Sequence, residues 1–185
     1  MALITDFTTS PNIVGATEWV LTEKMNGQSI YDASIGYSTV NASIPASAVD
    51  GTICVSGTLC DITDNNGIRE ILLPDAENKG KDVEYILADL QFSWNKLYDN
   101  DHVGYNYGKK ENSLNLVKLV AGQKFYLKVV DDVLIGDKMV VNYSGNLEYA
   151  LQKAVANDYA CFEVLERAQA GQCAEVICIG KTLIV

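Results

Sequence analysis

From Lys118 to Val185 the chain repeats one pattern, in which an apolar, β-branched run is followed by a short turn and then another run. The runs are Gln123–Val130, Lys138–Asn142, Leu147–Leu151, Ala160–Ala168 and Ala174–Val185. Between them stand Gly136-Asp137, Ser144-Gly145-Asn146 and Gln169-Ala170-Gly171-Gln172. Gly reaches positive φ without a Cβ clash, and Asn and Asp tolerate it better than most residues, so these are chain reversals. Strands joined this way form one antiparallel unit, and the expected fold is mainly β: an antiparallel barrel or sandwich with at most one or two short helices. The last run stays apolar to Val185. Left open, such a strand would be an aggregation hazard, so it is expected to be paired inside a sheet or against another subunit.

The preceding residues are more irregular. Residues 1–22 read as an arm and a first strand, with Thr8-Thr9-Ser10-Pro11-Asn12 as a turn. An arm carrying Phe7, Pro11 and Ile13 is hard to bury locally, so these residues are the candidate contacts to a second copy or another partner. Residues 26–51, rich in Gly, Ser, Thr, Asn and Ala, suit loops and short strands. Thr52–Asp61 reads as a strand kinked at Gly57, and Asp64-Asn65-Asn66-Gly67 as a tight turn into Ile68–Leu73, with Asn-Gly as the hairpin signal. Val83, Ile86, Leu87, Leu90, Trp94 and Leu97 recur at helical spacing behind Asp82, which predicts a helix over Val83–Leu97. Ile86, Ala88, Leu90, Phe92 and Trp94 also alternate as in a strand. A polar stretch ending at Lys109-Lys110-Glu111-Asn112 divides the chain into an N-terminal arm and elaborated β-rich region, 1–112, and a C-terminal antiparallel β domain, 113–185.

Charge and cysteine usage exclude several functions. The net charge is −10, and the two arginines, Arg69 and Arg167, are far apart in sequence, which argues against a phosphate-backbone partner. No run approaches the roughly 20 apolar residues of a bilayer crossing. The N-terminus lacks the basic and apolar segments of a secretory signal. Five cysteines in no paired spacing, with His102 the single histidine, suit free thiols in a reducing compartment better than disulfides or zinc.

No catalytic constellation is present. Asp99-Asn100-Asp101-His102-Val103-Gly104 starts like a calcium loop, but Val103 and Lys110 stand where oxygen ligands are required. Asp131-Asp132 reads as a turn, because a general acid–base pair needs separated carboxylates converging across a cleft. His102 has no nucleophile signature beside it, and no GxSxG, P-loop or GxGxxG is present. The expectation is a non-enzymatic protein without cofactor or metal. Tyr98 and Tyr105-Asn106-Tyr107 could stack on sugars, though tyrosines also pack at the rims of β structures and subunit contacts.

One order of motifs is more specific. Gly122-Gln123 enters a strand, and Val133-Leu134-Ile135-Gly136-Asp137-Lys138-Met139-Val140-Val141 places Gly-Asp between apolar runs. Ala160–Ala168 follows, and then Ala170-Gly171-Gln172-Cys173-Ala174-Glu175-Val176. This order resembles the small β-rich capsid cement (decoration) proteins of tailed bacteriophages, in which a Gly-Asp strand start, an Ala-Gly-Glu-x-Val-x-Val hairpin and an apolar terminal strand recur. Gln172 stands where the family often carries Glu. The resemblance covers about Leu119–Val185, and residues 1–112 lie outside it. It implies a homotrimer on the outer surface of an icosahedral head, made in the host cytoplasm and bound to the major capsid protein, with no catalytic residues. The alternative is a phage tail, fibre or adhesin module that binds a host-surface glycan through its tyrosines.

Overall fold

The computed structural model describes residues 24, 26–30, 35–45, 48, 53–88, 107–109, 113–143 and 149–185. Every regular element among them is a strand, and the fold is mainly β as expected. The strands are β1 Gln28–Ile30, β2 Thr39–Ser43, β3 Ile53–Val55, β4 Leu59–Asn65, β5 Ile68–Leu72, β6 Tyr85–Ile86 and β7 Tyr107–Lys109. They continue with β8 Ser113–Lys118, β9 Lys124–Lys128, β10 Lys138–Val141, β11 Leu151–Lys153, β12 Tyr159–Val164 and β13 Cys173–Leu183.

Six strands form one sheet in the order β1-β9-β13-β12-β10-β11, all pairs antiparallel. The sheet curls, because Val130 N–H donates to the Leu151 carbonyl at 2.9 Å and brings β11 back to the end of β9. A closed barrel, β2-β5-β4-β6-β8, stands beside it, and β3 pairs with β7. Sheet membership crosses residue 112, since β1 joins the C-terminal strands and β8 joins the barrel. The alternation of β9 places Phe125 and Leu127 inside and Lys124, Tyr126 and Lys128 on the outer face. The apolar tail is paired within the sheet: β13 lies on β12 as far as Leu183, and Ile184 N–H donates to the Asp158 carbonyl at 2.9 Å.

Four turns of one design start four strands of this sheet. They are Val120-Ala121-Gly122-Gln123, Leu134-Ile135-Gly136-Asp137, Val155-Ala156-Asn157-Asp158 and Gln169-Ala170-Gly171-Gln172, and they lead into β9, β10, β12 and β13. In each, the fourth residue's N–H donates to the first residue's carbonyl at 3.0 to 3.2 Å. The fourth side chain's oxygen accepts the first residue's N–H at 2.9 to 3.1 Å. The third residue is left-handed, with φ of 96°, 90°, 73° and 80° in chain order. Its N–H donates at 2.8 Å to Cys178, Val164, Ile184 or Val129, and that residue's own N–H returns to the fourth carbonyl. A left-handed residue and its successor opposite one partner residue make a G1 β-bulge, which fuses turn to strand and increases the local twist. Asn157 fills the position Gly holds elsewhere, as its short polar side chain allows.

The helix expected over Val83–Leu97 is not formed where the chain is described. Val83–Ala88 is extended, with β6 paired to β4 and β8, and Leu87 N–H donates to the Thr58 carbonyl at 2.9 Å. Val83, Ile86 and Ala88 enter the core under the large sheet, whereas Tyr85 and Leu87 pack into the barrel interior. A strand wedged between two cores is apolar on both faces, which removes the polar alternation that marks a half-buried strand. Residues 89–97 lie outside the described residues. The strand expected over Thr52–Asp61 is divided at Ser56-Gly57, where Gly57 has φ of 90°. Asn66 and Gly67, at φ of 55° and 84°, close the β4–β5 hairpin as a two-residue turn. β11 starts at Leu151, where the run Leu147–Leu151 was expected to end.

Candidate interaction surface

The four turns meet the β12–β13 ladder at different points along its length. At one end, where β12 finishes and β13 starts, lie Leu134–Asp137 and Gln169–Gln172. Leu134 and Ile135 project there with 65% and 72% of their surface exposed, the largest apolar exposures on any described turn. The tip is held firmly: the Leu134 N–H and Lys153 keep the Asp137 carboxyl below its usual range, and Lys153 Nζ lies 3.0 Å from Asp137 Oδ2. Asp131 and Asp132 flank the tip. Their carboxylates accept the backbone N–H groups of Lys153 at 3.0 Å and Ala170 at 2.8 Å, and neither has an ion-pair partner among the described residues. The Asp131-Asp132 pair is therefore a turn element, as its sequence suggested.

Farther along the ladder, at a break in its register, lies a groove. β13 leaves β9 at Cys178, and its register on β12 slips between Phe162↔Cys178 and Ala160↔Thr182, with Gly180 left-handed at φ of 73°. Here a groove of about 200 Å³ is lined by Val83, Leu119, Cys161, Cys178 and Gly180, together with Lys118, Lys181 and Glu84. Lys181 Nζ reaches Glu84 at 3.3 Å and the Lys81 carbonyl at 2.5 Å. Lys118, exposed, has no ion pair among the described residues.

The thiols in this groove are unsuited to nucleophilic or metal chemistry. All five cysteines are free, and Cys54, Cys60, Cys161 and Cys178 are buried. Burial pushes Cys54 up to about 11 from the ordinary 9.0, and burial with the neighbouring Cys178 pushes Cys161 up to about 12. Cys60, Cys173 and Cys178 are raised by burial as well. The thiolate is the reactive form, so at neutral pH these groups behave as apolar lining. The sign follows from linkage: in the unfolded chain the thiols ionise near their ordinary value, so stability is lost as pH rises from there through the folded values. Urea midpoints should stay level between pH 6 and 8 and fall steeply above about pH 9. Cys54→Ala should flatten part of that fall, and an unchanged alkaline profile would contradict the burial argument.

Phe7, Pro11, Ile13, Tyr98, His102, Tyr105 and the start of the calcium-like loop lie outside the described residues, and Tyr107 opens β7. Among the described residues no group of three His, Cys, Asp or Glu side chains could hold a metal ion. No described helix is long and apolar enough to cross a membrane. The Leu134-Ile135 tip was not identified from sequence. Its signal was present as two bulky apolar residues in the first two positions of a Gly-Asp turn.

No family model matches the chain, and no curated protein is similar to it in sequence. Among solved structures, the chain is similar in fold to the N base of the head fibre gp8.5 of bacteriophage phi29, with a TM-score of 0.52 and 12% identity over 81% of this chain and 100% of that one.

Proposed function

We propose that this chain is a structural protein of a phage virion, and within that class a capsid cement protein that bridges neighbouring major capsid subunits from outside the head. The observation that carries this reading is the fold shared with the base of a phage head fibre. The net charge of −10 supports it, because an acidic protein is kept off packaged genome and is tolerable on an outer surface. The proposed assembly is a homotrimer, with Phe7, Pro11 and Ile13 as contacts beyond the subunit's own core. Three sites engaged together need not each bind tightly. Once one forms, the others become intramolecular, and avidity can rise by roughly 10² to 10⁴.

The test compares heads carrying the protein with heads stripped of it, challenged by heat or chelator and scored by DNA release. Decorated heads should withstand the challenge longer, and added protein should restore stripped ones. Equal survival without rebinding would sink the cement reading. A second reading is a fibre base or glycan-binding module, favoured by the same fold likeness, since that neighbour is a fibre component. It requires binding to host-surface sugars on a glycan array, which the cement reading does not.

A further inference from the structure

We propose that copies of this chain associate head to tail, with the Leu134-Ile135 turn of one copy seated in the groove beside Lys118 and Lys181 of the next. Two surfaces of opposite character stand apart along the β12–β13 ladder, one beyond its Val164↔Val176 end and the other at its register slip. One is a projecting apolar pair, 65% and 72% exposed, with the carboxylates of Asp131 and Asp132 beside it, neither ion-paired among the described residues. The other is a concave apolar site of about 200 Å³ floored by Val83, Leu119, Cys161 and Cys178. Its charged lining is Lys118, which has no ion pair among the described residues, and Lys181 with its partner Glu84.

Shape and charge are complementary in one orientation only. The knob is convex and aliphatic, with the two carboxylates of Asp131 and Asp132 outnumbering the one guanidinium of Arg167 beside it, whereas the groove is concave with two lysines to one carboxylate in its lining. In a chain of net charge −10, most random encounters between copies are repulsive. A site where lysines outnumber carboxylates is then a preferred landing point for an acidic-flanked tip. The tip also requires little ordering on binding, because its G1 bulge and the Asp137–Leu134 hydrogen bond already fix it.

The knob and groove are different surfaces, so the contact is heterologous. It closes into a ring if the rotation between copies allows, and otherwise propagates as a filament. This inference is independent of the capsid reading, and its assay contains no heads, so the two can fail separately.

The experiment is sedimentation velocity on the full chain across the micromolar range. The wild type should self-associate. Ile135→Glu places a carboxylate in the apolar contact and should weaken association by at least about tenfold. Lys118→Glu reverses a positive charge in the groove and should weaken it at low salt. Neither position is buried, and far-UV spectra should confirm that both variants fold.

The decisive sample is the mixture of the two variants. The intact knob of the Lys118→Glu copy can still enter the intact groove of the Ile135→Glu copy, so a one-to-one mixture should gain association through that contact that neither variant shows alone. A monomeric wild type, variants that assemble as the wild type does, or a mixture no larger than the variants alone would each overturn the proposal.

Discussion

Gly27→Ala should lower the melting temperature by about 10 °C or more, or prevent folding altogether. Gly27 sits at φ of 80°, and a Cβ there would lie 2.2 Å from Ser56 Oγ and 2.3 Å from the Gly57 nitrogen. The left-handed backbone alone costs an L-residue about 1–2 kcal/mol. Overpacking adds about 1–3 kcal/mol, toward the upper end here because the obstacle is backbone that no rotamer change can move. The loss is a large share of a total stability of about 5–15 kcal/mol. It falls where the two sheets are tied together. Gly27 N–H donates to the Tyr126 carbonyl on β9, and Gly57 N–H to the Leu87 carbonyl beside β6, both at 2.8 Å. Asn26 bridges them, donating to the Ser56 carbonyl and accepting from Lys128 N–H, both at 2.9 Å. The comparison variant is Gly136→Ala, at φ of 90° with no atom within 4 Å of the new Cβ, which should cost only the conformational part. If the two variants melt alike, the close approach at Gly27 is not what holds the sheets together.

The parts of this fold that were legible in sequence are those set by local chemistry. Gly136-Asp137 and Gln169–Gln172 announced their turns because positive φ and a side-chain acceptor are written in residue types. Asn157-Asp158 builds the same turn and was not singled out, since Asn carries that signal more weakly than Gly. The Asn66-Gly67 hairpin followed from the dipeptide itself. What failed is what depends on distant partners. Tyr85–Ala88 read as helical because both of its faces are apolar, and the reason is a second core that periodicity cannot reveal. Likewise, nothing near Gln28–Ile30 indicates that it will pair with β9, almost a hundred residues on. The groove at Gly180 is assembled from β13, β8 and the approach to β6, so no contiguous stretch encodes it. The exposed tip was readable in principle, because its residues are adjacent and only their exposure was unknown.

Phe125→Ala should cost about 3–5 kcal/mol, the range for truncating a buried phenylalanine. Phe125 has no exposed surface and stands at the centre of the larger core. Its ring meets Tyr37 edge-on at 6.5 Å and 75°, and Phe162 at 6.2 Å and 87°. Each such pair contributes about 0.5–1.5 kcal/mol beyond area burial. Phe162 lies on β12 and Phe125 on β9, with β13 between them, so this contact spans the curl of the sheet rather than a neighbouring strand pair. Truncation therefore leaves a cavity bordered by three separate segments, and their bulges and hydrogen bonds limit how far they can collapse into it. Phe125→Leu separates the two contributions, since it refills most of the volume while removing the ring edges, and should cost less than half as much. Urea denaturation should move the midpoint with the slope unchanged, as expected when the native state loses stability without a change in the surface exposed on unfolding. A cost below about 1 kcal/mol for Phe125→Ala would mean that the sheet relaxes around the lost ring. In that case the curl is held by the strand ends, the Val129–Leu151 bridge among them, and not by the aromatic packing inside it.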